Sequence, residues 1–388
     1  HMNLPFPEAK SQFRDEGNGV WRNFTATNSG DVRALQQFLH DKGFLPKDDM
    51  VDGIFGYSTQ AAVRLFQEYV RTVEKNPSIG APDGSVGPNT QSHIQRWINN
   101  GLTCEWAQWN TYNPMPEYTD WMNLISKAKQ HFSANGSPML DLVRNHANRG
   151  DTRYIDQWDD SHDSVHLIGL RQGEENAVTT VDNKGRFVRA NDDLFIFLIK
   201  GMVFKFWGST DPNPAVAENP AGNPFLIEGQ HTYRFGWHGT SLKKKDQVYR
   251  ALEPATSGVL VYRVPNAKGL TPEEVAGGLD RSPVEDINIH WSGMGGYNFS
   301  AGCQVIAGKS YINHRDEVVQ MGQYAATSYS ELGGSKGRGA YNMFTDLLLS
   351  YGPSGVRTIT YTLGRDETLR LSDKWTPSYV RDTVKRMM

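Results

Sequence analysis

Thirteen positions separate His290 from Cys303, in the runs Ile289-His290-Trp291-Ser292-Gly293 and Ser300-Ala301-Gly302-Cys303-Gln304-Val305-Ile306. Sulfur attacks as thiolate, and imidazole is the usual base that generates it at neutral pH. Small residues beside the cysteine leave room for backbone N–H groups to face a developing oxyanion. Cys303 is therefore the candidate nucleophile, and His290 the base that takes the thiol proton and returns it to a leaving group. Gly302 and Ser300 complete the catalytic set. A buried core cysteine is the competing reading, and the glycine, the serine and the upstream histidine weigh against it.

Substrate-binding candidates surround this pair. Gly229-Gln230-His231-Thr232-Tyr233 runs into Gly236-Trp237-His238-Gly239-Thr240. Alternation puts His231, Tyr233 and Phe235 on one face and Thr232, Arg234 and Gly236 on the other. His238 is the stronger site candidate and His231 the weaker. Ser209, Thr210 and Asp211 open a proline-fixed loop at a strand end, where clefts are often lined. Trp291 and Gln304 flank the catalytic pair, and Arg234 and Arg263 could grip a carboxylate bidentately. A rival chemistry is a zinc site in Asp159-Asp160-Ser161-His162-Asp163-Ser164-Val165-His166. Two histidines four apart share a helical face, but this run precedes an expected strand and lacks a His-Glu-x-x-His glutamate. No metal and no cofactor is expected.

The 388 residues that must position these groups are too many for one ordinary core. A hydrophobic share of 38% is globular, and a net charge of −3 gives no electrostatic case for nucleic acid. The longest apolar stretch, Leu194 to Trp207, is broken by Lys200 and Lys205 and reads as buried strands, so membrane insertion is not expected. Two cysteines, Cys104 and Cys303, read as free thiols. His1-Met2 looks like a cloning scar, and Asn3 onward shows no signal peptide.

The expected architecture is multidomain α+β. Residues 25–105 form a small three-helix domain: Val32, Leu35 and Leu39 share a helical face, and Asp52-Gly53 turns into a helix capped near Ser58 or Thr59. That turn-then-helix pattern returns at Asp83-Gly84-Ser85-Val86-Gly87-Pro88-Asn89-Thr90. Residues 106–155 are a helical linker or a cap, with Trp121, Leu124, Ile125, Ala128 and Phe132 at amphipathic spacing after Pro114 and Pro116. Residues 156–388 are β-rich, with runs Val165–Leu170, Ala177–Val181, Leu194–Ile199, Met202–Trp207, Thr232–Trp237, Val259–Arg263 and Ile287–His290. Asp182-Asn183-Lys184-Gly185 reads as a hairpin turn. A mixed C-terminal extension follows, helical at Phe344–Leu349 and β-type from Val356 to Leu363.

The His290…Ser300-Ala301-Gly302-Cys303 order resembles the signature of the L,D-transpeptidase (YkuD-like) catalytic domain, a family of cysteine acyltransferases of peptidoglycan. Ala301 stands where that family's motif has a second histidine, and the histidine-to-cysteine spacing is shorter, so the chain is similar to a divergent branch. The Gly-Gln…Gly-x-His run ending at His238 resembles that of divergent relatives. The resemblance implies a β-rich sandwich and acyl transfer on stem peptides through a Cys303 thioester. The outcome would be transpeptidation, D-amino-acid exchange or L,D-carboxypeptidase cleavage. The paired Asp-Gly-x-x-Gly-x-x-Thr element resembles the peptidoglycan-binding domain of cell-wall hydrolases, which implies contacts around Asp52, Phe55, Tyr57 and Thr59. Peptidoglycan, both stem peptide and glycan, is then the expected partner, in the periplasm, the cell wall or outside the cell. An endopeptidase, lysin or delivered antibacterial effector, with a secretion-system component or immunity protein as partner, is one alternative. A non-catalytic wall-binding protein is another.

Overall fold

The computed structural model describes residues 13–15, 21–23 and 30–388, apart from 173–177, 182, 186, 217–221, 240–248, 265–270, 297, 354–357 and 372. His1-Met2, Asn3, Ala177, Asp182, Thr240 and Val356, on which sequence expectations were placed, lie outside the described residues.

Three helices, α1 (Gly30–Asp41), α2 (Tyr57–Thr72) and α3 (Pro88–Asn100), build the N-terminal domain. Val32, Leu35 and Leu39 are fully buried, as their spacing requires. They meet an aromatic cluster in which Phe44 lies 5.5 Å from Phe66 and 5.6 Å from Trp97, with Tyr69 5.0 Å from Trp106. The duplicated turns are the same structure built twice. In the first, Gln36 Nε2 donates to Asp52 Oδ1, Ile54 O and Thr59 Oγ1, and Gln36 Oε1 accepts from the Gly53 amide. In the second, Gln67 does the same for Asp83 Oδ1, Ser85 O, Thr90 Oγ1 and the Gly84 amide. Gly53 and Gly84 sit at φ of 78° and 80°, a conformation that disfavours a side chain.

Among the strands of the described residues, eight make the closed part of the main sheet: β1 (His166–Leu170), β2 (Asp193–Ile199), β3 (Met202–Ser209), β4 (Gly229–His238), β5 (Tyr249–Pro254), β6 (Ile289–Trp291), β7 (Gln304–Ile306) and β8 (Thr358–Gly364). Their order is β7-β6-β5-β4-β8-β1-β2-β3, and β7 pairs again with β3, so the sheet closes into a barrel rather than the expected sandwich. Closure depends on Gly208 opposite Ile306: a Cβ there would sit 1.8 Å from the Val305 carbonyl oxygen. The pairs β6–β7 and β8–β1 are parallel.

Alternation along β2 sends Phe195, Phe197 and Ile199 into one cluster and Leu194, Ile196 and Leu198 into another. The first cluster includes Tyr233, Tyr361 and Phe344. The second is covered by helices α4 (Pro116–Asn135) and α6 (Pro377–Met387), with Trp121 stacked on Trp375 at 4.1 Å. The segment expected as a linker or cap is thus a cap: α4 is a layer over the sheet. The expected C-terminal extension is integral, since β8 lies between β4 and β1. Helix α5 (Ala340–Tyr351) packs against α2, where Arg64 grips Asp346 bidentately at 2.8 and 2.6 Å and Tyr311 donates to Glu68 at 2.7 Å. The two main domains therefore share one buried interface.

Candidate active site

His290 is the middle residue of β6 and Cys303 immediately precedes β7; the register aligns Ile289 with Gln304 and His290 with Val305. The short parallel pair is what brings the two side chains to one pocket of about 580 Å³, also lined by His238, Trp291, Phe299, Ser300, Gly302 and Tyr329. His290 Nδ1 lies 2.8 Å from the Trp291 carbonyl. A carbonyl only accepts, so Nδ1 carries the proton and Nε2 is left with a lone pair. Burial lowers the His290 pKa, while the Trp291 carbonyl works the other way. The His238 ring stacks on His290 at 4.3 Å, and its pKa is lowered to about 3 by burial, then by His290 and Arg338.

Cys303 is half-buried, and its thiol donates to the Asp286 carbonyl at 3.3 Å while Sγ accepts from the Asn288 amide at 3.2 Å. Burial pushes its pKa up to about 11, although Asn288 and Ser300 hold it down. Among the described residues no hydrogen bond joins the thiol to His290. Both groups rest neutral in a shared pocket, because each is desolvated.

The loop before the cysteine is braced by residues the sequence did not single out. Asn298 Oδ1 accepts from the Ser300 amide at 2.9 Å, and Asn298 Nδ2 donates to the Asp211 carbonyl at 3.0 Å. The Asn213 amide donates to the Ser300 carbonyl at 2.8 Å, and Ser292 Oγ accepts from the Phe299 amide at 3.2 Å. Asn and Ser recur in this stretch of sequence, and their capacity to bond nearby backbone was the only available signal. The Gly302 amide is taken by Ser300 Oγ at 3.1 Å. Gly302 is therefore no oxyanion donor here. The Cys303 amide has no hydrogen bond among the described residues.

Several candidates sit elsewhere. Ser209 and Thr210 are buried at the barrel seam: Ser209 Oγ donates to the Asp211 carbonyl, and Thr210 bonds Asp193 Oδ2 through both its amide and hydroxyl at 2.7 Å. Asp211 is buried against Arg171 at 3.0 Å. Gln304 is wholly buried, donating to the Thr210 carbonyl at 3.0 Å and accepting from Tyr361 at 2.7 Å. These three polar candidates, Ser209, Thr210 and Gln304, lie at the barrel seam beside the strand that follows Cys303 and do not line the pocket. Arg234 is exposed, pairs with Glu253 at 2.6 Å and is also outside it, whereas Arg263 lines it. His231 is buried between Thr152 Oγ1 at 2.8 Å and the Ile227 carbonyl at 2.9 Å. In the zinc alternative, His166 Nε2 donates to the Ser161 carbonyl and Asp159 binds Ser164, so these side chains do not converge.

In the N-terminal domain Phe55 is core and Thr59 is buried on Gln36, so neither offers a ligand contact. Asp52 is exposed but serves its own turn, accepting from Ile54 at 2.9 Å. Tyr57, of the four, faces a cleft.

Residues 28–72 match the family model of the peptidoglycan binding domain, which supports an N-terminal peptidoglycan-binding domain. A search of curated proteins and of solved structures finds no significant match. No helix among the described residues is long and apolar enough to cross a membrane.

Proposed function

We propose that the chain is a peptidoglycan-modifying cysteine acyltransferase that works on stem peptides through a thioester at Cys303. One observation supports this reading above the others. A half-buried thiol and an imidazole with its Nε2 lone pair open share a pocket on a chain that carries a wall-binding domain.

Sγ adds to the carbonyl carbon of a stem-peptide residue as His290 Nε2 takes the thiol proton. The oxyanion meets the Cys303 amide. Collapse breaks the C–N bond, and His290 hands its proton to the departing amine. An amine then takes the acyl group, giving a cross-link or D-amino-acid exchange, or water takes it, giving L,D-carboxypeptidase cleavage. Either route regenerates the thiol. A lysin or a delivered antibacterial effector would use the same steps.

A second reading, a wall-binding protein without turnover, is favoured by the thiol's raised pKa and its hydrogen bond to Asp286. Mass spectrometry of disaccharide-tetrapeptide after incubation separates the two. The acyltransferase releases terminal alanine or forms dimer, and Cys303→Ala does neither; an unchanged substrate with the native chain supports the binder. A carbapenem adduct on Cys303, read as a mass increase of the intact protein, is expected only for the enzyme.

A further inference from the structure

A second cleft, of about 530 Å³, lies between the helical domain and the barrel. Tyr57 and Gln60 of α2 and Asp83 of the second duplicated turn form one wall. Trp237 of β4, Arg250 of β5 and Lys336 form the other. The rings of Tyr57 and Trp237 meet edge-on at 5.2 Å across the domain boundary, and the Arg250 guanidinium lies 4.1 Å from the Trp237 centroid. The Arg64–Asp346 pair, which joins the two domains, lines the same cleft.

Trp237 and His238 are consecutive on β4, so they face opposite sides of the strand. Trp237 lines the interdomain cleft and His238 lines the pocket of Cys303. The end of the β4–β5 pair is a thin wall between two sites.

We propose that the interdomain cleft is a saccharide subsite, in which one glycan segment of the wall polymer is held jointly by the helical domain and the barrel. The inference rests on the reading that the ligand is peptidoglycan. Half-buried Tyr57 and Trp237, edge-on to each other beneath the Arg250 guanidinium, line the cleft with aromatic carbon for the C–H side of a sugar ring, while Gln60 and Ser85 offer partners to its hydroxyls. A volume of this size suits a ligand of a few rings. The wall-binding domain is then half of a composite receptor, and binding there places the attached stem peptide near the wall that the cleft shares with the Cys303 pocket.

The test measures binding of the full chain to purified sacculi and to glycan chains stripped of their peptides. Trp237→Ala, on the barrel side, should lose at least about tenfold in affinity for both. Trp237→Phe should stay within about threefold of the native chain, because it keeps a ring. Ser335→Trp, at an exposed position on the barrel side of the cleft, fills the space without touching the core and should lose binding as Trp237→Ala does. If both disruptive variants bind like the native chain, the helical domain binds alone and the composite site is refuted. Loss on sacculi with unchanged binding to stripped glycan refutes the saccharide assignment, and a native chain that binds neither refutes the subsite outright. The acyltransferase reading is scored separately by the Cys303 adduct, so a chain that binds glycan through Trp237 yet never forms the adduct keeps the cleft and loses the chemistry.

Discussion

Iodoacetamide alkylation of Cys303, followed in a Cys104→Ser background, should accelerate about tenfold per pH unit from about pH 7 to about pH 10 without a plateau. The reason lies in the two desolvated groups. The thiol ionises near 11 and burial lowers the imidazole from its ordinary 6.5, so moving the proton from Sγ to His290 in the empty pocket runs uphill, by about 4.5 pH units against an ordinary imidazole before the attraction of the two new charges is counted. That gap is about 6 kcal/mol before the attraction between the two charges, so the thiolate–imidazolium pair is a minor species of the resting protein. It does not forbid catalysis. A turnover near 10 per second corresponds to a barrier of about 16 kcal/mol, so a proton transfer of this size still leaves about 10 kcal/mol for the chemical step. His290→Ala should therefore leave the alkylation profile of the free protein nearly unchanged while lowering turnover by about a hundredfold or more. An alkylation rate that levels off below about pH 8, and that His290→Ala abolishes, would show a preformed ion pair and refute the reasoning.

Three further outcomes are expected. His231 is buried with Nε2 donating to Ile227 and Nδ1 accepting from Thr152, whose hydroxyl oxygen also accepts from the Leu260 amide, so its pKa is lowered to about 4 by burial. Its unfolded form binds a proton from about pH 6.5 downward, so stability is full above that pH and is lost, by roughly 3 kcal/mol, as pH falls towards 4; urea melts should show this slope, and His231→Gln should flatten it. Gln36→Ala strands the Gly53 amide and three acceptors, and should cost about 3 kcal/mol in urea unfolding, with Gln67→Ala costing a similar amount if the two turns are equivalent. Gly208→Ala should prevent barrel closure and yield little folded protein, and a variant that melts within about 1 kcal/mol of the native chain would contradict the 1.8 Å approach.

How far the sequence could be read follows from the range of the forces involved. The duplicated turns were legible because Asp-Gly at a positive φ is a local requirement, although the expected cap at Ser58 or Thr59 falls to Gly56 and Thr59 bonds Gln36 instead. The strands of β1 to β3 were legible from β-type apolar runs, but not their closure, since pairing β3 with β7 joins residues about a hundred positions apart. Gln36 and Gln67 were missed because a glutamine on an amphipathic helix looks like surface, and only the folded turn turns it inward. Ser209, Thr210 and Gln304 were misread for a related reason. Polar residues near a nucleophile can hold substrate or hold the strand, and burial decides between the two.

Residue chemistry alone, then, pointed to one thiol and one imidazole as candidates and set the two-turn helical domain and the β-rich character of the rest. The tertiary structure decided that both reactive groups are desolvated, that the covering helices and final strand belong to the barrel, and that the helical domain is docked to it. Side-chain identity and short-range spacing set the former, because they need only a few neighbouring residues. Burial, charge environment and domain contact set the latter, because each sums over residues distant in sequence, such as Arg64 and Asp346.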